Sequence, residues 1–379
     1  ETTVCAELRA WLAAHWQVDR SLVAWRHLLV DSGWGMPHWP REWHCRGLPV
    51  ALLPAIDAEF EAVGAVGVAR IGIRLLAAAT LLEHGSDDHK RRFLRRILSG
   101  EDTWCQLFSE PGSGSDLAGG TTRAEFDGTR WVVNGQKLWT TSAHHAHWGL
   151  LLARTDWDAP KHQGLSFFVI DMHQPGVEVR PLKQMNGYAS FNEVFFTDVR
   201  LPLDAVVGEV NDGWRLAKVT LGNERVSLST GGLLWGHGPT ALDLIAQIKR
   251  APVTDPVLRQ NIVKVYIEHQ ILELIRMRTL SARIRGEQPG PEASVRKILA
   301  DEHGQHVMDL ALSLQGASGM IANAHVGGLS GTQGASAMEA AVWYYGFLFA
   351  QALTIGGGTG AVQRNIVGER VLGLPHEPE

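Results

Sequence analysis

The sequence predicts an α+β multidomain protein in which helical domains flank a small β domain, and three observations predict it. Apolar residues recur at helical spacing from residue 1 to 104. Between 105 and 208 the period drops to two, with short β-rich runs separated by turn residues. From 209 to 379 helical spacing returns in long blocks punctuated by Gly and Pro. The domains expected are 1–104 (helical), 105–208 (a β-barrel or sandwich) and 209–379 (an up-and-down, four-helix-bundle-like domain).

Taken in order, residues 1–20 place Leu8, Leu12 and Trp16 on one helical face, where a leader peptide would instead run from charged to apolar. A Gly-, Pro- and Trp-rich break follows at 31–49, then an apolar block at 63–84 and an exposed basic helix at 87–100, closed by Gly100. The β region offers strands at 131–133, 150–153, 165–170, 177–179 and 194–196, and Asn134-Gly135 reads as a hairpin turn. Helical blocks are expected at 212–249, 255–285, 291–315, 336–355 and 361–372, with a Gly-rich loop at 326–334. The most apolar stretch, 340–355, contains Gln351 and falls short of the ~20 residues of a membrane span, so it reads as a buried helix.

Composition narrows the function. A net charge of −5, with no basic stripe, argues against nucleic acid. Three isolated cysteines, Cys5, Cys45 and Cys105, lack metal or redox spacing and fit a reducing, cytoplasmic setting. His144, His145 and His147 have no matching Cys or carboxylate set, so a solvated loop is the better reading and no metal is expected. No GxSxG elbow is present to activate a serine. Gly356-Gly-Gly-Thr-Gly-Ala361 satisfies GxGxxA, but a helix precedes it and no βαβ unit can follow; helix capping explains it, as it does Gly316-Ala-Ser-Gly319.

Two stretches and one side chain stand out. Ser109-Glu-Pro-Gly-Ser-Gly-Ser-Asp116 follows an apolar run, and its glycines permit close backbone approach to a ligand. Asn134-Gly-Gln-Lys-Leu-Trp-Thr-Thr-Ser142 is the second. Glu224 shares a stripe with Leu216, Thr220 and Leu228 at i+4 spacing, on a mostly apolar face. A carboxylate buried there is either a base with a raised pKa or the partner of an arginine such as Arg225.

SEPGSGSD, NGQKLWTTSA and FNEVFFTDVRLP, in that order within a helical, β, helical sequence, resemble the acyl-CoA dehydrogenase family over nearly the whole chain. Trp39-Pro-Arg-Glu42 and Gly47-Leu48 resemble a further family motif, with Trp43-His-Cys45 in place of Tyr-Gly-Gly. The resemblance implies FAD and α,β-desaturation of an acyl-CoA thioester. It would set Phe108, Ser109 and Gly114 at the flavin ring, Trp139 over one face, Thr141 near N5 and Ser115 on coenzyme A. Many members carry the base in a Tyr-Glu-Gly-Thr turn, where this chain has Gly356-Gly357-Gly358-Thr359. Isovaleryl and long-chain members carry it in a Glu-Arg segment on the first helix of the last domain, which Glu224-Arg225 matches, leaving Gly357 as a backbone donor to the thioester oxygen.

Positions that bind the ADP half of the flavin in the family depart here. The RxxFGxPI segment becomes Arg250-Ala-Pro-Val-Thr-Asp-Pro256, a glutamine position holds Ser313, the double glycine is Gly316-Ala317, and Ala361 follows Thr359 where an acidic or amide residue is usual. Either a paralogous subunit supplies the clamp in an α2β2 heterotetramer, or this is drift within a homotetramer. Electron-transfer flavoprotein is the acceptor that the resemblance implies. The small residues Ser229, Gly231 and Gly232 leave room for a branched or sterol-derived acyl chain, or for close helix packing. An oxidase or monooxygenase on the same fold, and a non-catalytic partner subunit, are the competing functions.

Overall fold

A computed structural model describes residues 1–376 apart from 68–71, 229–232, 236–237, 251–252, 286–289 and 318–339. It divides into two compact units, Glu1–Lys183 with Ala189–Thr220 and Gln184–Tyr188 with Leu221–Glu379.

In the first unit, α1 (Thr2–His15) buries Cys5, Leu8 and Leu12, the face that helical spacing selects. It packs with Trp25 and Leu29 of α2 (Leu22–Asp31), whose N-cap Ser21 accepts from the Ala24 amide, and with Ile56 and Phe60 of α3 (Leu53–Ala62). Next come α4 (Ile73–His84) and α5 (Asp87–Ser99), the latter capped by Ser86 and ended by Gly100 at φ +80°. The basic face of α5 is exposed, while Phe93, Leu94, Ile97 and Leu98 turn inward. Phe93 meets Trp104 and Trp148 edge-on at 5.2 and 5.0 Å, docking the helix on the sheet.

That sheet has seven strands: β1 (Trp104–Leu107), β2 (Arg123–Phe126), β3 (Trp131–Thr141), β4 (Trp148–Arg154), β5 (Leu165–Asp171), β6 (Val177–Leu182) and β7 (Phe191–Leu201). Its order is β1-β4-β2-β3-β7-β6, with β5 antiparallel to β4 and β1 parallel to it. Residues 149–154 and 165–170 are buried at every position, as strands covered on both faces must be. All five expected runs are strands, and β3 and β7 extend well beyond them.

The hairpin expected at Asn134-Gly135 is not formed. β3 runs through it, and the ladder with β7 shifts register between Val133 and Gly135. Gly135 takes φ +150°, and a Cβ there would stand 2.7 Å from the Thr122 backbone, so this glycine answers a close approach within the sheet. Asn134 caps the irregularity by bonding both the side chain and the amide of Asp198.

The helix α6 (Gly213–Leu228) buries Leu216, Ala217 and Thr220. Thr220 Oγ1 lies 2.9 Å from Thr80 Oγ1 of α4, both fully buried. The helix expected over 212–249 is therefore two, α6 and α7 (Ala241–Arg250), because Gly238-Pro239 cannot continue a helix. Thr240 and Asp243 restart it as a reciprocal cap, at 2.7 and 3.3 Å. Trp235, within the helix expected over 212–249, sits in the intervening turn at φ +53°. Ser229, Gly231, Gly232 and the loop 326–334 lie outside the described residues.

In the second unit α8 (Pro256–Ile284), α9 (Ala293–Gln315), α10 (Ala340–Ala350) and α11 (Gly360–Ile366) follow α7. α9 is central, packing against α8, α10 and α11 around Val307, Met308, Ala311, Trp343 and Leu353. Of the block expected at 336–355, residues 336–339 lie outside the described residues, 340–350 are helical, and the chain then breaks into turns. α8 leaves Val263, Ile267, Ile271, Leu274 and Met277 exposed, an apolar stripe at helical spacing. No helix among the described residues is long and apolar enough to cross a membrane.

Candidate functional site

The loop 109–120 is a built structure. Glu110 and Ser113 exchange backbone hydrogen bonds at 3.0 Å, and Ser113 Oγ donates to the Asp116 carbonyl at 2.5 Å. Arg154 of β4 closes the far end by donating to the carbonyls of Ala118 and Gly120, at 2.6 and 3.1 Å. The glycines at 112 and 114 have no atom within 4 Å of where a Cβ would stand, so the backbone is open to a ligand. Gly114 and Ser115 are exposed and Ser109 is half-buried. Phe108 turns its ring into the core, 5.6 Å from Phe167 and edge-on, so what it offers a ligand is its backbone.

The strand β3 runs alongside. Leu138 donates its amide to the Ser109 carbonyl at 2.8 Å. A second register shift, between Lys137 and Thr140, puts Trp139 at φ +60° with the residue 58% exposed. A bulky residue in the left-handed region stores strain, and such residues cluster at functional sites. Phe191 supports the indole edge-on at 6.1 Å. Thr141 is half-buried, and Asn192, fully buried, holds the Thr140 carbonyl at 2.9 Å. Open loop backbone, an outward indole and two available hydroxyls fit a planar aromatic cofactor with a polar edge.

Behind this wall lies a pair that the sequence reading did not single out. Lys137 is fully buried, and its Nζ donates to Glu110 Oε1 at 2.8 Å and to the Phe108 carbonyl at 2.9 Å. Glu110 also accepts from the Thr121 amide and hydroxyl and from the Thr122 amide, at 2.6, 2.9 and 2.9 Å. Burial alone would push this carboxyl up; the Lys137 ammonium and the two amides outweigh it and hold it at about 2. Burial pulls Lys137 down from its ordinary value, with the carboxylate opposing. One signal could have exposed the pair: an acidic residue in a glycine-rich turn and a lysine in a strand that is otherwise apolar inside.

The remaining expected residues lie on α6 or in the second unit. Glu224 and Arg225 are on α6, one turn after buried Thr220; their side chains lie outside the described residues. Gly357 and Gly358 have φ +67° and +92°, and Gln363, itself buried, donates to the Gly357 carbonyl at 3.0 Å and fixes that turn. Thr359 caps α11, its hydroxyl accepting from the Val362 amide at 3.3 Å. Gly316 ends α9 at φ +54°, whereas Arg364 of α11 pairs with Glu302 at 2.5 Å, which lies about 20 Å nearer the start of α9 at ~1.5 Å per residue. Arg250 is exposed at the end of α7. His144, His145 and His147 are exposed, and no metal-binding cluster occurs among the described residues.

Comparison with known proteins agrees with this layout. Family models for the acyl-CoA dehydrogenase N-terminal, middle and C-terminal domains match residues 2–101, 105–199 and 211–372. The acyl-CoA dehydrogenase FadE34 of Mycobacterium tuberculosis is 38% identical over 92% of this chain, which spans 45% of that protein. The acyl-CoA dehydrogenase IpdE1 of the same organism is 38% identical over 93% of this chain and 88% of its own length. Among solved structures, the "Tcur3481-Tcur3483 steroid ACAD" is 26% identical with a TM-score of 0.76, covering 99% of this chain and 98% of that one. The ChsE4-ChsE5 complex from Mycobacterium tuberculosis is 27% identical with a TM-score of 0.75, at the same coverage. With all three domain models matched in order, the chain belongs to the acyl-CoA dehydrogenase family.

Proposed function

We propose that this chain dehydrogenates an acyl-CoA thioester to the trans-2-enoyl thioester, with FAD as cofactor and Glu224 as the base. The observation that carries the reading is the wall formed by the loop 109–120 and Trp139, where open backbone and a strained, outward indole are joined by direct hydrogen bonds. When bound, the flavin supplies the acceptor for the β-hydride. The Ser109 and Thr141 hydroxyls bond its polar edge, and Trp139 excludes water from the reacting carbons. Ser115 and Arg225 meet the coenzyme A thioester. Glu224 takes the α-proton, and the Gly357 amide meets the charge that develops on the thioester oxygen. That amide sits in a turn that Gln363 holds from behind, so it needs little reorganisation during reaction.

We place the chain in an α2β2 assembly with a paralogous subunit, passing electrons to an electron-transfer flavoprotein. Three observations support the assembly: the altered ADP-clamp positions Ser313, Ala317 and Ala361, the exposed apolar stripe of α8, and two similar structures that each name two chains. A sterol-derived acyl group is the favoured substrate because one of those structures is described as a steroid enzyme.

Anaerobic mixing with straight, branched and sterol-derived acyl-CoA thioesters tests the chemistry. Flavin bleaching is expected, fastest with the sterol-derived thioester, and Glu224→Gln should abolish it. Unchanged bleaching in that variant removes Glu224 from the role. For the assembly, native mass spectrometry of the chain expressed alone is the test, and a stable homotetramer with one flavin per subunit sinks the heteromer.

A further inference from the structure

We propose that Lys137 and Glu110 are positioning residues that lock the two halves of the flavin-ring wall to each other. This rests on the reading of that wall as a flavin site. The halves come from separate segments: the loop 109–120 carries Ser109, Gly114 and Ser115, and β3 carries Trp139 and Thr141. Only a few bonds join them at the site. Leu138 holds the Ser109 carbonyl, and Lys137, two residues before Trp139, holds the Phe108 carbonyl and Glu110.

The position of Lys137 gives the lock its leverage. It lies at the edge of the register shift that turns Trp139 to φ +60°, so the strand there lacks regular ladder bonds to define its path. A side chain anchored at 2.8 and 2.9 Å replaces them. On the other side Glu110 is more than an ion-pair partner. Its two oxygens accept from Thr121 and Thr122, and its backbone bridges Ser113, so both ends of the loop converge on one carboxylate. The pair is 99% and 94% buried and occupies no place where substrate could reach it. Its effect on the reaction must therefore pass through Ser109 and Trp139.

Lys137→Met and Glu110→Gln, made in the full chain, test the lock. In the apo-protein, exchange of the Leu138 amide should accelerate about ten-fold relative to amides of β4 and β5, reporting that the halves have parted. With FAD bound, flavin fluorescence should rise toward that of Trp139→Phe, since the quenching indole has moved. kcat should fall on the order of 10²-fold, as a displacement of about 1 Å suffices for that, with KM for the thioester changing much less. A pair that only stabilises the fold would lower the melting temperature while leaving Leu138 protection, bound-flavin fluorescence and kcat unchanged; that result overturns the proposal. If Lys137→Met does not fold, Glu110→Gln keeps the shape and carries the same test. An assembly of the wild-type chain with its paralogous subunit that binds no FAD sinks the flavin reading, whereas the apo exchange measurement still decides whether the pair joins the two segments.

Discussion

Two buried lysine–carboxylate pairs, one in each unit, are built alike and behave in opposite ways. Lys137 and Glu110 meet at 2.8 Å in the first unit, and Lys297 and Asp301 at 2.5 Å in the second. Each lysine also holds a backbone carbonyl beside a segment of the proposed site: Phe108 before the loop 109–120, and Leu353 before the turn 356–359, at 2.9 and 3.2 Å. Yet burial prevails over Lys297 and pushes the Asp301 carboxyl up to about 6, whereas Glu110 is held at about 2. The difference lies in the donors. Glu110 receives two amides and a hydroxyl as well as its lysine, so most of its lone pairs are matched. Asp301 neighbours a second carboxylate, Glu302, which pushes it further up. A buried charge is secured by the full set of its hydrogen bonds, and a counter-ion alone leaves it half secured.

Removing each lysine is the largest way to break the comparison. Lys137→Met strands a buried carboxylate that keeps two amides and a hydroxyl favouring its charged form but has lost its counter-ion, and should cost about 3–5 kcal/mol in urea unfolding. Lys297→Met leaves an acid already poised to protonate, and should cost about 2 kcal/mol or less. Equal losses in the two variants would show that the amide donors make no difference.

The pH dependence sharpens it further, with opposite signs. The folded-state pKa of Glu110 is depressed from 4.5 to about 2, so its stabilisation, about 3 kcal/mol, is present above pH 4.5 and lost as pH falls toward 2. Glu110→Gln should lack that component. The folded-state pKa of Asp301 is raised from 3.8 to about 6, so its favourable contribution is full below pH 3.8 and is lost as pH rises through 6, again by about 3 kcal/mol. Relative to Asp301→Asn, the wild type should gain stability on acidification from pH 6 to pH 4. Denaturant titrations at fixed pH steps read both slopes, and slopes of one sign would undo the contrast.

The turn next to the second pair gives a smaller effect. Gln363→Ala removes the bond to the Gly357 carbonyl and should lower stability by about 1 kcal/mol. Its larger consequence should be in kcat, about ten-fold, with KM little changed, because a loosened amide fails where charge develops. A loss confined to KM would place Gly357 in binding alone.

The same contrast explains what could be read from the sequence. Helical spacing found the buried face of α1, because Leu8 and Leu12 repeat at the helical period, whereas the helix read as exposed and basic over 87–100 also buries Phe93, Leu94, Ile97 and Leu98 beneath its charges. Strand existence was legible from apolar runs, but the ends of β3 and β7 were not: Asn134, Gln136 and Lys137 look like turn residues until their cross-strand partners are known. The division of 212–249 into α6 and α7 is written in Gly238-Pro239 and in the Thr240–Asp243 cap, where helical spacing of apolar residues alone shows one block. Ser109, Trp139 and Thr141 were found from the resemblance of short motifs. Lys137 and Glu110, inside those same motifs, are marked in the sequence only by a charge on an apolar strand face; the partner that makes burial of that charge possible lies elsewhere along the chain.

An exposed pair on the same loop supplies the smallest effect and the strictest control. Asp116, the last residue of the octapeptide, meets Lys161 at 2.9 Å with both side chains more than half exposed. Water screens such a pair, and ordering two flexible side chains offsets much of what attraction remains. Lys161→Ala should therefore change stability by less than about 0.5 kcal/mol, and added salt should erase even that. Leu138 exchange and bound-flavin fluorescence should not move, because the loop is held from its buried side by Glu110 and Arg154. If Lys161→Ala frees the Leu138 amide as Lys137→Met does, the loop is one cooperative unit held equally from either side, and the special standing of the buried pair is lost.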